Sequence, residues 1–157
     1  GQHRLNTITG GPAAGIAKSV SKFRQLVKDA AEDWNPGVAE PTIGATCHLY
    51  VGETDELARQ RVRSAFQRYH QNLTSLWARY DEPLPGGGPT LGGDVDLALK
   101  VGALVAGSPD SVAAHIRELA DAADINYFIG AFAWGDLSHT EAMASLRLFA
   151  DEVMPRF

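Results

Sequence analysis

Apolar and polar positions alternate along this chain with two periods, and the periods predict helices separated by strands. Ile16, Val20, Phe23, Val27 and Ala30 fall on one helical face over residues 15–33, with Lys18, Lys22, Arg24 and Lys28 mostly elsewhere. Asn35-Pro36-Gly37 ends that element. Residues 42–52 read as a strand buried on both faces, as in a parallel sheet. Strand alternation sends Thr46, His48 and Tyr50 one way, and Ala45, Cys47, Leu49 and Val51 the other. Thr54 caps the next helix, with Asp55 and Glu56 in its first turn. That helix runs to about Tyr80, and Leu57, Val62, Phe66, Tyr69, Leu73, Leu76 and Trp77 form its apolar face. Ser108 as N-cap and Pro109 at N1 open a further helix to about Ala122, with His115 toward its exposed side. Ile125 to Phe132 is an apolar run that reads as a buried strand. Ser138 and Glu141 then form a capping box. Ala142, Leu146, Phe149 and Val153 mark the inner face of the closing helix, which Pro155 stops.

The remaining stretches are less regular. Residues 1–14, with GGPAAG at 10–15, read as a loop, since the run lacks the lysine of a phosphate-binding loop. Residues 81–93 (DEPLPGGGPTLGG) are either a lid over a site or an inert insertion. Residues 94–106 are a short apolar stretch, helix or turn. Only two strands stand out in this order. Two parallel strands leave both sheet edges open, so the chain reads as one segment of a larger α/β structure.

Composition narrows the classes. A formal charge of −5 with no Lys/Arg cluster argues against a nucleic-acid partner. No apolar run has the length of a membrane span. The start, Gly1-Gln2-His3-Arg4, lacks the pattern of a signal peptide. A single cysteine, Cys47, precludes an internal disulfide, suits a reducing, cytoplasmic setting and reads as a buried, inert thiol. His48 is the candidate catalytic group, as a proton carrier or hydrogen-bond donor; the alternative is a histidine at the edge of the core. Trp77 and Tyr80 pack in the core or line a cleft. In α/β folds ligands sit beyond the carboxyl ends of strands, which directs attention to Phe132 through His139.

Two stretches resemble the C-terminal part of the luciferase-like flavin-dependent monooxygenases. Residues 45–58 (ATCHLYVGETDELA) are similar to that family's penultimate barrel strand and its Tyr-Val-x-x-Thr-x-x-x-Ala ending. GSPDSV at 107–112, GDLSH at 135–139 and LFADEVMP at 148–155 are similar to its last helix–strand–helix. Together the resemblance covers about residues 43–58 and 104–157.

The resemblance implies an α/β fold that is the C-terminal portion of a (β/α)8 TIM-type barrel, an incomplete parallel sheet with long helices. The two strands would be the seventh and eighth, and residues 55–106 an insertion carrying the lid at 81–93. At least strands one to five would lie outside this sequence. It implies a reduced flavin (FMN) or a deazaflavin as cofactor, bound mainly by that missing N-terminal half of the barrel, and a small organic molecule oxidised with O2 as substrate. By position, His48 would serve the chemistry, and Tyr50, Phe132, Trp134 and Asp136 would face the cofactor or substrate. Two partners follow: the missing half of the barrel, or a second copy of the chain in a non-catalytic, self-associating half-barrel.

Overall fold

Strand β2 (Ile43–Val51) is the axis of the computed structural model, which describes residues 5–29, 40–83 and 93–157. Three further strands pair with it, all parallel: β1 (Thr7–Gly10), β3 (Leu104–Gly107) and β4 (Tyr127–Ala131). β1 pairs with Ile43 to Thr46, β3 with His48 to Val51, and β4 with Gly44 to His48. The overlap places β4 on one edge of β2 and β1 and β3, end to end, on the other. Among the described residues nothing pairs with the outer edge of β4.

Two of these strands differ from the sequence reading. Residues 7–10 are a strand, although the surrounding Gly and Pro suggest a loop. The strand is four residues long and is fixed by partners distant in sequence, such as the Thr7 amide donating to the Thr42 carbonyl. Within 94–106, helix α3 (Val95–Lys100) is followed by the strand β3, buried along its whole length. Local propensity says little about either, because sheet pairing is a tertiary interaction.

The helices follow their caps. Helix α1 (Ala13–Lys28) buries Ile16 and Val20; Ala30, the Asn-Pro-Gly stop and most of the 81–93 segment fall outside the described residues. Helix α2 (Asp55–Tyr80) begins at Thr54, whose hydroxyl accepts from the Leu57 amide. It buries Ala58, Val62, Ala65 and Phe66, one face of its first three turns. Three residues of the expected apolar face are exposed: Leu57 in the first turn, and Leu73 and Leu76 in the far half, where the helix runs past the sheet that would cover them. Helix α4 (Pro109–Ala123) starts at Ser108 as expected. Asp55 ties the starts of α2 and α4 together, its carboxylate accepting from the Ser108 amide at 2.7 Å and the Ser111 hydroxyl at 2.8 Å. Those bonds hold its pKa below the usual carboxylate range. His115 is half-buried against Gly102 rather than exposed, and its Nε2 has no partner among the described residues.

The sheet has two differently covered faces. Ala45, Cys47, Leu49 and Val51 pack against α1, α4 and the closing helical turns. Gly44, Thr46, His48 and Tyr50 lie on the opposite face, where α2 and α3 cover only the carboxyl-terminal half of the sheet. The amino-terminal half is bare: Ile8 and Tyr127 are 51% and 52% exposed. Hence β4, expected to be fully buried, is half-exposed.

Helix α5 (His139–Leu148) has the expected capping box, then widens into a π-helical turn at Phe149–Val153 and a 3-10 turn at Met154–Arg156. The inner face differs by one position from the expected one. Leu146 is exposed and Ser145 is buried, its hydroxyl accepting from the Val51 amide at 2.7 Å. That bond satisfies the last amide of β2 where a neighbouring strand would otherwise be needed. Ser145→Ala should therefore cost about 1–3 kcal/mol in urea unfolding, since it strands a buried donor. An unchanged unfolding midpoint would mean the Val51 amide finds another acceptor.

Candidate functional site

The face of β2 that carries His48 opens on a cavity of about 290 Å3. Its floor is made where strands end and side chains are absent or small: Gly10, Gly11, Ala103 and Ala131. Its roof is α2, through Phe66, Tyr69 and Leu73. The cavity therefore lies over the middle of β2, at the carboxyl ends of β1 and β4 and beside the amino end of β3. A larger cleft of about 620 Å3 lies beside β3, between α3 and α4, but it is lined by charged side chains and sits away from these strand ends.

His48 borders the cavity. Its ring lies 4.2 Å from that of Tyr69 and 5.3 Å from that of Trp134, the latter edge-on. Burial pushes its pKa below the ordinary imidazole value, so it is neutral at pH 7. Trp134 is 7% exposed and lies in the α2 cluster; its indole N–H has no partner among the described residues. Tyr50 is half-buried two residues further along the same face. Burial, then the charge of Glu141, raises its pKa, while Arg61 opposes them, so the phenol keeps its proton.

The other two sequence candidates lie elsewhere. Phe132 turns to the opposite face of the sheet and packs edge-on against Phe149, at 5.3 Å. Asp136 lies in an ion network. Arg61 donates to the Asp136 carboxylate at 2.8 Å, the Asp136 carbonyl at 3.0 Å and the Ser64 hydroxyl at 3.0 Å. The same guanidinium grips both oxygens of Glu141, and Glu141 caps Ser138. Arg61 and Ser138 hold Glu141 down at about 2 and Arg61 holds Asp136 below its ordinary value, while the two acids hold Arg61 above its own. Spent on one another, these charges pin the loop after β4 to α2. Gly135 completes that contact with φ +64°; a Cβ there would lie 1.9 Å from the Ala65 carbonyl oxygen.

Thus His48, Trp134 and the cavity come together, with Tyr50 beside them, while Asp136 and Phe132 hold the frame. Sequence reading assigned Tyr69 to the apolar face of α2 and gave Arg61 no role. Only the fold brings Tyr69 to His48. Nothing in the spacing of Arg61 distinguishes it from the other arginines of α2. Cys47 is buried on the far face with its thiol pushed up to about 12, so it is inert at neutral pH. No cluster of three metal-ligating side chains occurs among the described residues, and no helix there is long and apolar enough to cross a membrane.

Comparison with known proteins places this geometry. The profile of the luciferase-like monooxygenase family matches residues 4–124, and the chain belongs to that family. None of the curated proteins matches it significantly. The chain shares its fold with monooxygenase RslO1 from Streptomyces bottropensis, at 21% identity and a TM-score of 0.74. That match covers 99% of this chain and 43% of RslO1. It is also similar to the oxygenating constituent of 3,6-diketocamphane monooxygenase from Pseudomonas putida, solved with FMN, at 20% identity and a TM-score of 0.63. There it covers 98% of this chain and 42% of the other. The coenzyme F420 dependent tetrahydromethanopterin reductase from Methanopyrus kandleri shares the fold at 16% identity and a TM-score of 0.57, covering 97% and 45% of the two chains. The chain therefore spans less than half the length of these relatives, and its fold is that of part of their barrel.

The Arg61 network predicts a pH effect of definite sign. Glu141 has a depressed pKa in the fold, so its contribution is full above its ordinary value of 4.5 and drains as pH falls toward about 2. Glu141→Gln should lower stability by about 1–2 kcal/mol at pH 7, discounted for partial exposure. The deficit should shrink toward zero near pH 2. Thermal melts across that range measure it, and a deficit independent of pH would contradict the ion-pair origin.

Proposed function

We propose that this chain forms one wall of the active site of a flavin-dependent monooxygenase, whose barrel is completed by strands outside this sequence. The observation that carries the reading is the uneven cover of the sheet: α2 roofs His48 and its cavity, while Ile8 and Tyr127 leave the rest of the same face bare. A barrel interior has that character on one side of a partial sheet.

The residues suit the substrate side of a flavin site. The small floor and aromatic roof of the cavity fit a flat substrate beside His48, and the bare half of the same sheet face leaves room for the flavin. Among the described residues no Lys or Arg lines that cavity. The family resemblance assigns the flavin phosphate to the strands outside this chain. When bound, reduced flavin supplies the electrons with which O2 oxidises a small organic substrate. Neutral His48 can hold or accept a proton at its imidazole. Tyr50 offers a protonated phenol. Tyr69 and Trp134 exclude water from the space beside His48. Deazaflavin is the alternative cofactor, suggested by the F420-dependent relative.

To test this, the chain is mixed with a polypeptide supplying the remaining strands, and oxygen uptake is followed with reduced FMN. Flavin-dependent uptake is expected, and His48→Phe should lower it about 10–100-fold without unfolding the protein. Binding of deazaflavin without oxygen uptake would select the reductase reading. No binding of either cofactor would defeat both.

A second reading, a non-catalytic half-barrel that pairs with its own copy, draws on the outer edge of β4. There Phe128, Phe149, Met154 and Phe157 line an apolar groove of about 360 Å3. Sedimentation distinguishes the two: a monomer that dimerises only with the complementing polypeptide supports the monomeric wall.

A further inference from the structure

The cavity at His48 also specifies what kind of molecule it accepts. Resting on the reading that this cavity serves the substrate side of the site, we infer that it takes an uncharged, flat, mostly apolar organic molecule whose single polar group meets His48. The shape comes from the floor: Gly10, Gly11, Ala103 and Ala131 leave a shallow slot between strand ends and helix. Phe66, Tyr69 and Leu73 bound the slot from above with aromatic and aliphatic surface. A volume of about 290 Å3 lies at the small end of ligand pockets.

The charge selectivity comes from what is and is not in the lining. Among the described residues no Arg, Lys, Asp or Glu borders this cavity, whose only ionisable lining groups besides His48 are the imidazole of His70, the phenol of Tyr69 and the thiol of Cys47, whereas Arg59, Arg63, Lys100, Asp96 and Glu118 all border the cleft beside β3. The ions nearest along the fold are committed: Arg61 to Asp136 and Glu141, and Arg63 to Asp96. A carboxylate or phosphate entering the slot would lose water and meet no Lys or Arg among the described residues, which is costly. Thr46 and His48 are the polar groups that β2 directs toward it. His48 is held by ring contacts with Tyr69 and Trp134, so its position is set while hydrogen bonding remains available to a ligand. Being neutral, it can donate to a carbonyl or accept from a hydroxyl.

Three probes that share one ring system separate these claims: 2-naphthol, naphthalene and 2-naphthoate, titrated into the 157-residue chain at pH 7.5 by equilibrium dialysis. 2-Naphthol should bind about tenfold more tightly than naphthalene, the worth of one hydrogen bond. 2-Naphthoate should bind more than about a hundredfold more weakly than 2-naphthol. His48→Leu should abolish the advantage of naphthol while leaving naphthalene binding unchanged, and Ala103→Leu should weaken both neutral probes by filling the slot. Circular dichroism confirms that each variant folds. The inference is overturned if naphthoate binds as tightly as naphthol, if the naphthol preference survives in His48→Leu, or if neither neutral probe binds. Oxygen uptake by the reassembled protein is scored separately. Uptake that persists while naphthoate binds tightly overturns the ligand class alone. Selectivity that holds while uptake is absent supports the ligand class and defeats only the flavin reading.

Discussion

Everything in this fold hangs on β2 being paired along both edges while its two faces meet different surroundings. Pairing consumes its backbone groups, with Ser145 taking the last amide. Alternation then does the rest. The odd-numbered residues from Ile43 to Val51 are buried beneath α1, α4 and the closing turns. Thr46, His48 and Tyr50 are only half-buried, because their cover is a single helix that reaches half the sheet. A site is the by-product of that incomplete cover. It needs no unusual backbone in the strand, only a face that the helix roofs without filling.

What keeps α2 in place as a roof is electrostatic at one end and steric in the middle. Asp55 joins its first turn to the start of α4, and Arg61 joins its second turn to the loop after β4. One turn beyond Arg61, Gly135 lets that loop touch the backbone of α2 at Ala65. The ionic groups are partly exposed, so each pair stabilises modestly by itself. Their value lies in direction: Arg61 spends its donors on groups of one loop and one helix start, and so sets where Trp134 stands relative to His48.

Much of this was legible in the sequence, and the parts that were not share a cause. Caps are local, so Thr54, Ser108 and the Ser138–Glu141 box could be read directly. The alternation of β2 is also local, and it put His48 and Tyr50 on one face. β1 and β3 are four residues each and exist because β2 offers them partners, which no short window of sequence reports. Of the expected inner face of the closing helix, Ala142, Phe149 and Val153 pack inward, while Ser145 replaces Leu146 because its hydroxyl meets the Val51 amide, a tertiary contact that no helical period reports. Phe132 and Trp134 lie two residues apart yet on opposite sides of the sheet, because the chain leaves β4 after Ala131 and strand alternation no longer applies. Family resemblance supplied the architecture, and the coverage of solved relatives agrees that this chain is less than half of such a barrel.

The central claim is that the outer edge of β4 is a seam closed by further strands. Hydrogen exchange at single-residue resolution tests it most directly. In the chain alone, alternate amides of residues 127–131 should exchange as freely as exposed backbone, while those of 43–51 stay protected. Addition of the complementing polypeptide should protect the exposed set. Full protection of 127–131 in the monomeric chain, or no gain on complementation, would contradict the account.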